Sequence, residues 1–406
     1  MRMDPHLFDF TRRQWRWHLL PEDVAQFLAQ HAAADELVTV KSTDCRAVYR
    51  FDKYFIKVCG SYQLKSFLTP SAREEYNAYC QLTAAGIGAV KHLGWGRCGH
   101  YTALVTEVWQ EDAVDALNYW YSQLYNLQDT DEFICDLTGY LHDLVNSTLQ
   151  HGDFHLGNIL YSPSQRKFTL VDLHHVSAGT EHTLGEKARM LQILTELRSG
   201  LRPQRMLELF WEAGHIDNNT AAAAIRSKLI TDAERTRHSW KRRVKQFLTG
   251  YAKFSDFITF NGQVLLVQRN KLRRNLFDPA GDWQEHYRTV RLEFPAALEQ
   301  MLFSFYLSLL QVPHIPVAAL APDGTLYYPR SAAFDEIPTD REWVNSFNEY
   351  LLCMGLNNED YSQWRHHQNQ QLLLADFSSM LAAMPNRALF QVPDVNPRRW
   401  RIRKHH

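Results

Sequence analysis

The chain has 406 residues, 45% hydrophobic and 22% charged, the balance of a globular protein long enough for two ordinary domains or one with a large extension. A formal net charge of −1 excludes a global attraction to nucleic acid or to an anionic membrane, so any such attraction has to be local. Six scattered cysteines without a Cys-x-x-Cys pair argue against a zinc site, and no apolar run reaches the ~20 residues of a membrane span.

The start, Met1-Arg2-Met3-Asp4-Pro5-His6, lacks the apolar core of a secretory signal, so reduced thiols in the cytoplasm are expected. Val38-Thr39-Val40, Ala47 to Phe51 and Tyr54 to Val58 read as successive strands, with Asp52-Lys53 as a tight turn. Ser71 to Ala85 reads as a helix capped by Ser71, with Glu74 and Glu75 in its early turns and Gly86 as its stop. Ala103 to Val108 is a further strand, and Phe133 to Leu149 an amphipathic helix. Thr183 to Ser199 and Pro203 to Ala213 are expected helices. A basic segment follows with Arg235, Arg237, Lys241, Arg242, Arg243 and Lys245, interleaved with His238 and Trp240. Asn261-Gly262 suits a hairpin turn leading into Val264 to Val267, Met301 to Pro316 reads as a buried helix, and the last 11 residues are strongly basic.

The chemistry concentrates at His151-Gly152-Asp153-Phe154-His155-Leu156-Gly157-Asn158-Ile159-Leu160, followed by Leu170-Val171-Asp172-Leu173-His174. An Asp, an Asn five residues on, and a second Asp closing an apolar strand are what ATP-dependent phosphoryl transfer requires. One carboxylate orients and deprotonates a hydroxyl, while the amide oxygen and the second carboxylate hold Mg²⁺. Asn158 to Tyr161 and Lys167 to Val171 read as a hairpin that brings Asn158 and Asp172 to one end.

These residues carry a resemblance. Segment 38–175 resembles the protein-kinase-like superfamily, and within it the lipopolysaccharide kinases that phosphorylate inner-core heptose or Kdo sugars. Asp172-Leu173-His174 stands where most kinases have Asp-Phe-Gly; Arg73-Glu74-Glu75-Tyr76 and Ala84-Ala85-Gly86-Ile87 match that branch's helix; Tyr54 to Val58 matches its lysine strand. The resemblance implies an α+β, bilobal fold with a β-rich N-lobe at about 20–108 and a helical C-lobe at about 109–225. Residues 226–406 would form a mostly helical extension or a degenerate, incomplete kinase-like repeat. It implies Asp153 as base, Lys57 on the ATP phosphates held by Glu75, with Glu74 as the competitor, and Asn158 and Asp172 as Mg²⁺ ligands. Thr106, Glu107 and Val108 would be the connector that reads adenine. His151 would support the loop, and His155 would either help place Asp153 or fill the loop core. The implied acceptor is lipopolysaccharide core or another sugar, met at the cytoplasmic face of the inner membrane, with no nucleic acid involved and the oligomeric state open.

The phosphate-covering turn, Ser42-Thr43-Asp44-Cys45-Arg46, contains no glycine, which makes close backbone approach to phosphate harder. Two other readings therefore stay open: a small-molecule phosphotransferase of the aminoglycoside or choline type, and a pseudokinase. The second half carries a faint echo. Tyr306 to Leu309 followed by Ile315 to Val317 resembles Tyr79 to Val90, and Leu372 to Ala383 resembles the helix before the catalytic loop. That register sets Pro393 to Arg399 where Gly152 to Asn158 would be. The basic clusters, with Trp240 and Trp400, read either as solvated faces or as contacts to anionic lipid head groups and phosphorylated sugars.

Overall fold

The computed structural model describes residues 9–43, 45–60, 72–126, 128–174, 176–279, 282–330 and 341–357, and beyond these 364–367, 371–374, 376–384, 387–391, 395, 397 and 400. Asp44, the expected cap Ser71, and the tail residues Arg398, Arg399, Arg401, Arg403 and Lys404 lie outside them. The chain divides into two compact units, Met1–Tyr119 with Thr130–Met190, and Trp120–Asp129 with Leu191–His406.

In the first unit, runs rich in β-branched and aromatic residues pair into an antiparallel sheet. β1 (Arg16–His18), β2 (Val38–Ser42), β3 (Arg46–Phe51), β4 (Tyr54–Gly60), β5 (His92–Cys98) and β6 (Tyr101–Glu107) lie in the order β1-β5-β6-β4-β3-β2. Asp52 adopts φ 50° in the two-residue turn that closes β3 on β4, a conformation Asp tolerates better than most residues. α1 (Glu22–His31) packs Val24 and Leu28 into the core with Tyr49, Ile56 and Val58. The sequence reading missed β1 and β5, because glycine weakens a strand signal. Here glycine is needed for close approach: a Cβ on Gly96 would lie 2.3 Å from the Trp17 ring, and one on Gly94 would lie 2.4 Å from the Leu20 backbone.

α2 (Ala72–Ala84) follows and stops at Gly86, φ 74°. β7 (Val114–Asp115) leads into α3 (Ala116–Tyr125). α4 (Asp131–Val145) buries Phe133, Leu137, Leu141 and Leu144, the face expected from their spacing. β8 (Leu149–His151), β9 (Ile159–Ser162), β10 (Lys167–Leu170) and β11 (Val176–Ala178) carry the catalytic-type motif. β9 and β10 form the expected hairpin, whose tip is pinned when Arg166 donates two hydrogen bonds to Asp136, each at 2.9 Å.

The second unit contains most of the remaining helices. α5 (Leu184–Leu191) leads from the first unit into it, followed by α6 (Pro203–Gly214) and α7 (Asn218–Leu248). Asp217 caps α7 by accepting from the Asn219 and Thr220 amides. Position 225, the expected end of the kinase-like domain, lies inside this helix. β12 (Ser255–Phe260) and β13 (Gln263–Gln268) meet at the anticipated Asn261-Gly262 turn. α8 (Trp283–His286), β14 (Tyr287–Arg291), α9 (Phe294–Leu309), β15 (Ala319–Leu320) and β16 (Thr325–Pro329) follow, and the five strands form one sheet in the order β12-β13-β15-β16-β14. α10 (Arg341–Cys353), the hairpin of β17 (Trp364–His367) and β18 (Gln371–Leu374), and α11 (Ser378–Ala383) complete the unit. No described helix is long and apolar enough to cross a membrane.

Candidate active site

Lys57 sits on β4, where alternation turns Ile56 and Val58 into the core and sends Lys57 to the other face. There its ammonium donates to Glu75 Oε2 of α2 at 2.8 Å and to Asp172 Oδ1. Glu75 rather than Glu74 is thus the partner, and it is 5% exposed. Burial works against the Lys57 charge, but Glu75 and Asp172 outweigh it and hold the ammonium above its ordinary pKa. Cys59 lies further along the same strand, and its thiol is pushed up to about 11 by burial, so it is not a thiolate.

Asp172 follows β10 with φ 59°, a left-handed conformation that costs a non-glycine residue free energy and is a mark of functional turns. Burial favours its neutral acid. The His174 ring N–H, donating to Asp172 Oδ1 at 2.6 Å, and the Lys57 charge overcome that and hold the carboxyl far below its usual range. The roles of Lys57 and Asp172 were assigned from the sequence; the clamp by His174 was not. Its signal was the Asp-x-His spacing, which places the ring back over the carboxylate. Ligand atoms of Glu75, Asp172 and His174 all lie within 4.8 Å of one another.

Asn158 lies at the start of the hairpin, in a 3-10 turn over Leu156–Asn158 rather than in the expected strand. The Val171 amide donates to the Asn158 carbonyl at 3.0 Å, which seats Asn158 beside Asp172 as the hairpin required. The Asn158 side-chain NH₂ donates to the Asp153 carbonyl at 3.0 Å, so its amide oxygen is the end left to face a cation. Hard oxygens from Asn158 and Asp172 are the donor set that Mg²⁺ prefers.

Asp153 is presented on the loop with its side chain 59% exposed. Its backbone amide donates to His151 Nδ1 at 3.2 Å, and the Gly157 amide donates to His155 Nδ1 at 3.0 Å. His151 therefore braces the loop as expected. Burial holds its pKa down to about 4, so the ring is neutral and unsuited to proton relay near pH 7. Of the two alternatives for His155, the ring is 39% exposed and does not fill the loop core; Nδ1 closes the turn and Nε2 stands 3.8 Å from Asp153 Oδ2. The Leu149–His151 strand pairs with Val176–Ala178, which locks the loop to the segment after Asp172.

Thr106 and Glu107 end β6, with Val108 next. The Glu107 amide donates to Lys91 O at 3.0 Å and the Val108 amide to Lys53 O at 2.9 Å, so both N–H groups are committed within the fold. At the glycine-free turn, the Thr43 amide donates to Arg46 O and the Arg46 amide to Thr43 Oγ1, closing the turn on itself. The basic segment on α7 presents Arg235, Arg237, Lys241, Arg242 and Lys245 to solvent. Trp240 is not part of that surface: it is 2% exposed and donates its indole N–H to Leu389 O, and Trp400 is also buried.

A six-stranded sheet with α2 beside it, a lysine–glutamate–aspartate bridge and an Asp/Asn loop ahead of a hairpin define a protein-kinase-like fold. No family model and no curated protein matches the sequence. Among solved structures, the chain is similar to WaaP in complex with acyl carrier protein, at 16% identity over 47% of this chain and 87% of that one, with a TM-score of 0.37. It is also similar to WbdD bound to a kinase inhibitor, at 15% identity over 50% of this chain and 48% of that one, with a TM-score of 0.32.

Proposed function

We propose that the protein is an ATP- and Mg²⁺-dependent phosphotransferase acting on a sugar hydroxyl of the lipopolysaccharide inner core, heptose or Kdo. The observation that carries the phosphotransferase reading is the bridge in which Lys57 joins Glu75 to Asp172. A lysine held between two carboxylates has a fixed position, and phosphoryl transfer depends on such fixed charge more than on strong acids or bases. When bound, MgATP supplies the transferable phosphoryl group and the charge neutralisation around it. Asn158 and Asp172 would hold the metal, Lys57 would meet the phosphates, and Asp153 would orient the acceptor hydroxyl and take its proton. Exposure of Asp153 suits an acceptor that arrives from solvent.

The choice of acceptor rests on Asp172-Leu173-His174 and the α2 sequence, both similar to the core-sugar kinases. The solvent-facing cations of α7 would suit a substrate embedded in an anionic membrane face, and peripheral placement there belongs to the same proposal. The test is the mass of core oligosaccharide from cells with and without the protein. Loss of one phosphate in the deletion, restored by wild type and not by Asp153→Ala, is expected; identical masses would remove the acceptor assignment.

One observation favours a second reading, a pseudokinase: the Thr43 and Arg46 amides of the phosphate-covering turn and the Glu107 and Val108 amides of the connector are spent internally. Thermal denaturation separates the two, because only a nucleotide-binding protein gains stability from MgATP.

A further inference from the structure

The second unit repeats the geometry of the first around its own helix, turn and hairpin. In the first unit α2 is followed by a left-handed residue, Gly86. The Ile87 amide then donates back to Leu82 O, Ala89 bridges in parallel to Leu170, and the Val90 amide donates to Leu170 O. In the second unit α9 is followed by the left-handed Gln311. The Val312 amide donates back to Leu307 O, His314 bridges in parallel to Leu374, and the Ile315 amide donates to Leu374 O. The spacing from Leu82 through Gly86, Ile87 and Ala89 to Val90 equals that from Leu307 through Gln311, Val312 and His314 to Ile315. Each bridged leucine ends a short hairpin, β9–β10 or β17–β18, and each hairpin is preceded by a helix, α4 or α10. Two residues past the leucine stands an aspartate followed by an apolar residue, Asp172-Leu173 in one unit and Asp376-Phe377 in the other.

The strands agree as well. β12–β13 closes through Asn261-Gly262 as β3–β4 closes through Asp52-Lys53, with Phe260 opposite Gln263 as Phe51 is opposite Tyr54. Counted from that turn, Leu266 holds the place of Lys57. Leu265 and Val267 enter a core cluster as Ile56 and Val58 do, so Leu266 takes the opposite face, as Lys57 does. Counted from the leucine at the helix end, Gln300 holds the place of Glu75. Counted from the aspartate, Ser378 holds the place of His174. These last two meet: Gln300 Nε2 donates to Ser378 Oγ at 3.3 Å. This register differs from the expected echo, since Gln371–Leu374 is a strand and helix begins only at Ser378.

We propose that residues 255–391 are a second kinase-like half that has lost its phosphate site, so that the chain holds one MgATP, at Lys57, and none at Asp376. Each replacement removes charge: Leu266 cannot meet a phosphate, and Gln300 cannot hold a lysine. The Asp376 carboxylate accepts from the Ser378 amide at 2.8 Å at the start of α11, where Asp172 accepts from the Lys57 ammonium. The sheets differ in order, β13-β15-β16 against β4-β6-β5, so the likeness lies in the helix, turn, bridge and hairpin.

The nucleotide count rests on the proposed function, and the experiment keeps the two apart. Titration calorimetry of the full chain with Mg²⁺ and a non-hydrolysable ATP analogue is expected to give one equivalent, lost in Lys57→Ala and changed less than twofold in Asp376→Asn. Two equivalents, or residual binding in Lys57→Ala that Asp376→Asn removes, would overturn the inference alone; zero equivalents would overturn the function reading along with the count. The positional match has its own readout. Leu266→Lys is expected to lower the melting temperature, and adding Gln300→Glu to recover at least half of that loss, as Lys57 and Glu75 support each other. Additive losses would overturn the repeat.

Discussion

Replacing Lys57 by Met keeps most of its aliphatic stem and removes the charge that joins Glu75 to Asp172. The side chains of Lys57 and Glu75 are 16% and 6% exposed, so water cannot take over. Asp172, 28% exposed and still held by His174, suffers less than Glu75. An uncompensated buried carboxylate costs about 3–5 kcal/mol. Glu75→Gln removes the stranded charge, so Lys57→Met combined with Glu75→Gln should recover about 2 kcal/mol relative to the sum of the single losses, within the range seen for touching pairs. Urea unfolding of the four proteins at pH 7 measures this. Additivity within about 0.5 kcal/mol would refute the bridge as a coupled unit. The pH dependence has a defined sign. Asp172 is depressed, so its contribution is present above the ordinary carboxylate range near pH 4 and is lost as pH falls below it. Lys57 is raised, so its contribution is present below about pH 10 and is lost as pH rises further. Lys57→Met should flatten both flanks.

Asp153→Asn should reduce phosphoryl transfer by about 10²–10⁴, the usual share of a positioned base, while unfolding stays within about 0.5 kcal/mol of wild type because the side chain is exposed. Asn158→Ala should lose activity and also about 1–2 kcal/mol of stability, since it removes a buried hydrogen bond to the loop; calorimetric unfolding checks the second part. His151 and His314 are both held down to about 4 by burial. Both therefore oppose protonation on folding, and stability should fall as pH drops from about 6.5 toward 4. His314 donates to Val312 O and accepts from Ser304, a fixed neutral tautomer, so His314→Gln should weaken the protein at pH 7.5 yet flatten this slope in urea midpoints.

The strands, the helix with Glu75 and the hairpin were legible because each is local. Alternation marks a strand, a glycine stops a helix, and four turn residues join two apolar runs. Lys57, Glu75 and Asp172 were legible as a set only through motif order, since nothing in a sequence measures a distance across 115 residues. β1 was hidden because its partner strand is built on Gly94 and Gly96, whose use is to admit Trp17 and Leu20 rather than to favour extension. In the second unit, the buried pairing of β13 with β15 is long-range, and only Val264 to Val267 announced itself. Trp240 looked like a surface aromatic among cations. Helical periodicity instead turns it inward, against Phe305, Tyr306 and Phe390, while its basic neighbours face water.

The reaction proposed for the Lys57–Asp172 site is phosphoryl transfer to a core sugar. The most direct measurement is transfer of label from γ-labelled ATP, with Mg²⁺, to purified lipopolysaccharide lacking its core phosphates. Label in the core oligosaccharide is expected with wild type, and none with Asp153→Asn or Lys57→Met. Equal labelling by Asp153→Asn, or no transfer by a wild-type protein that binds MgATP, would contradict the proposed reaction.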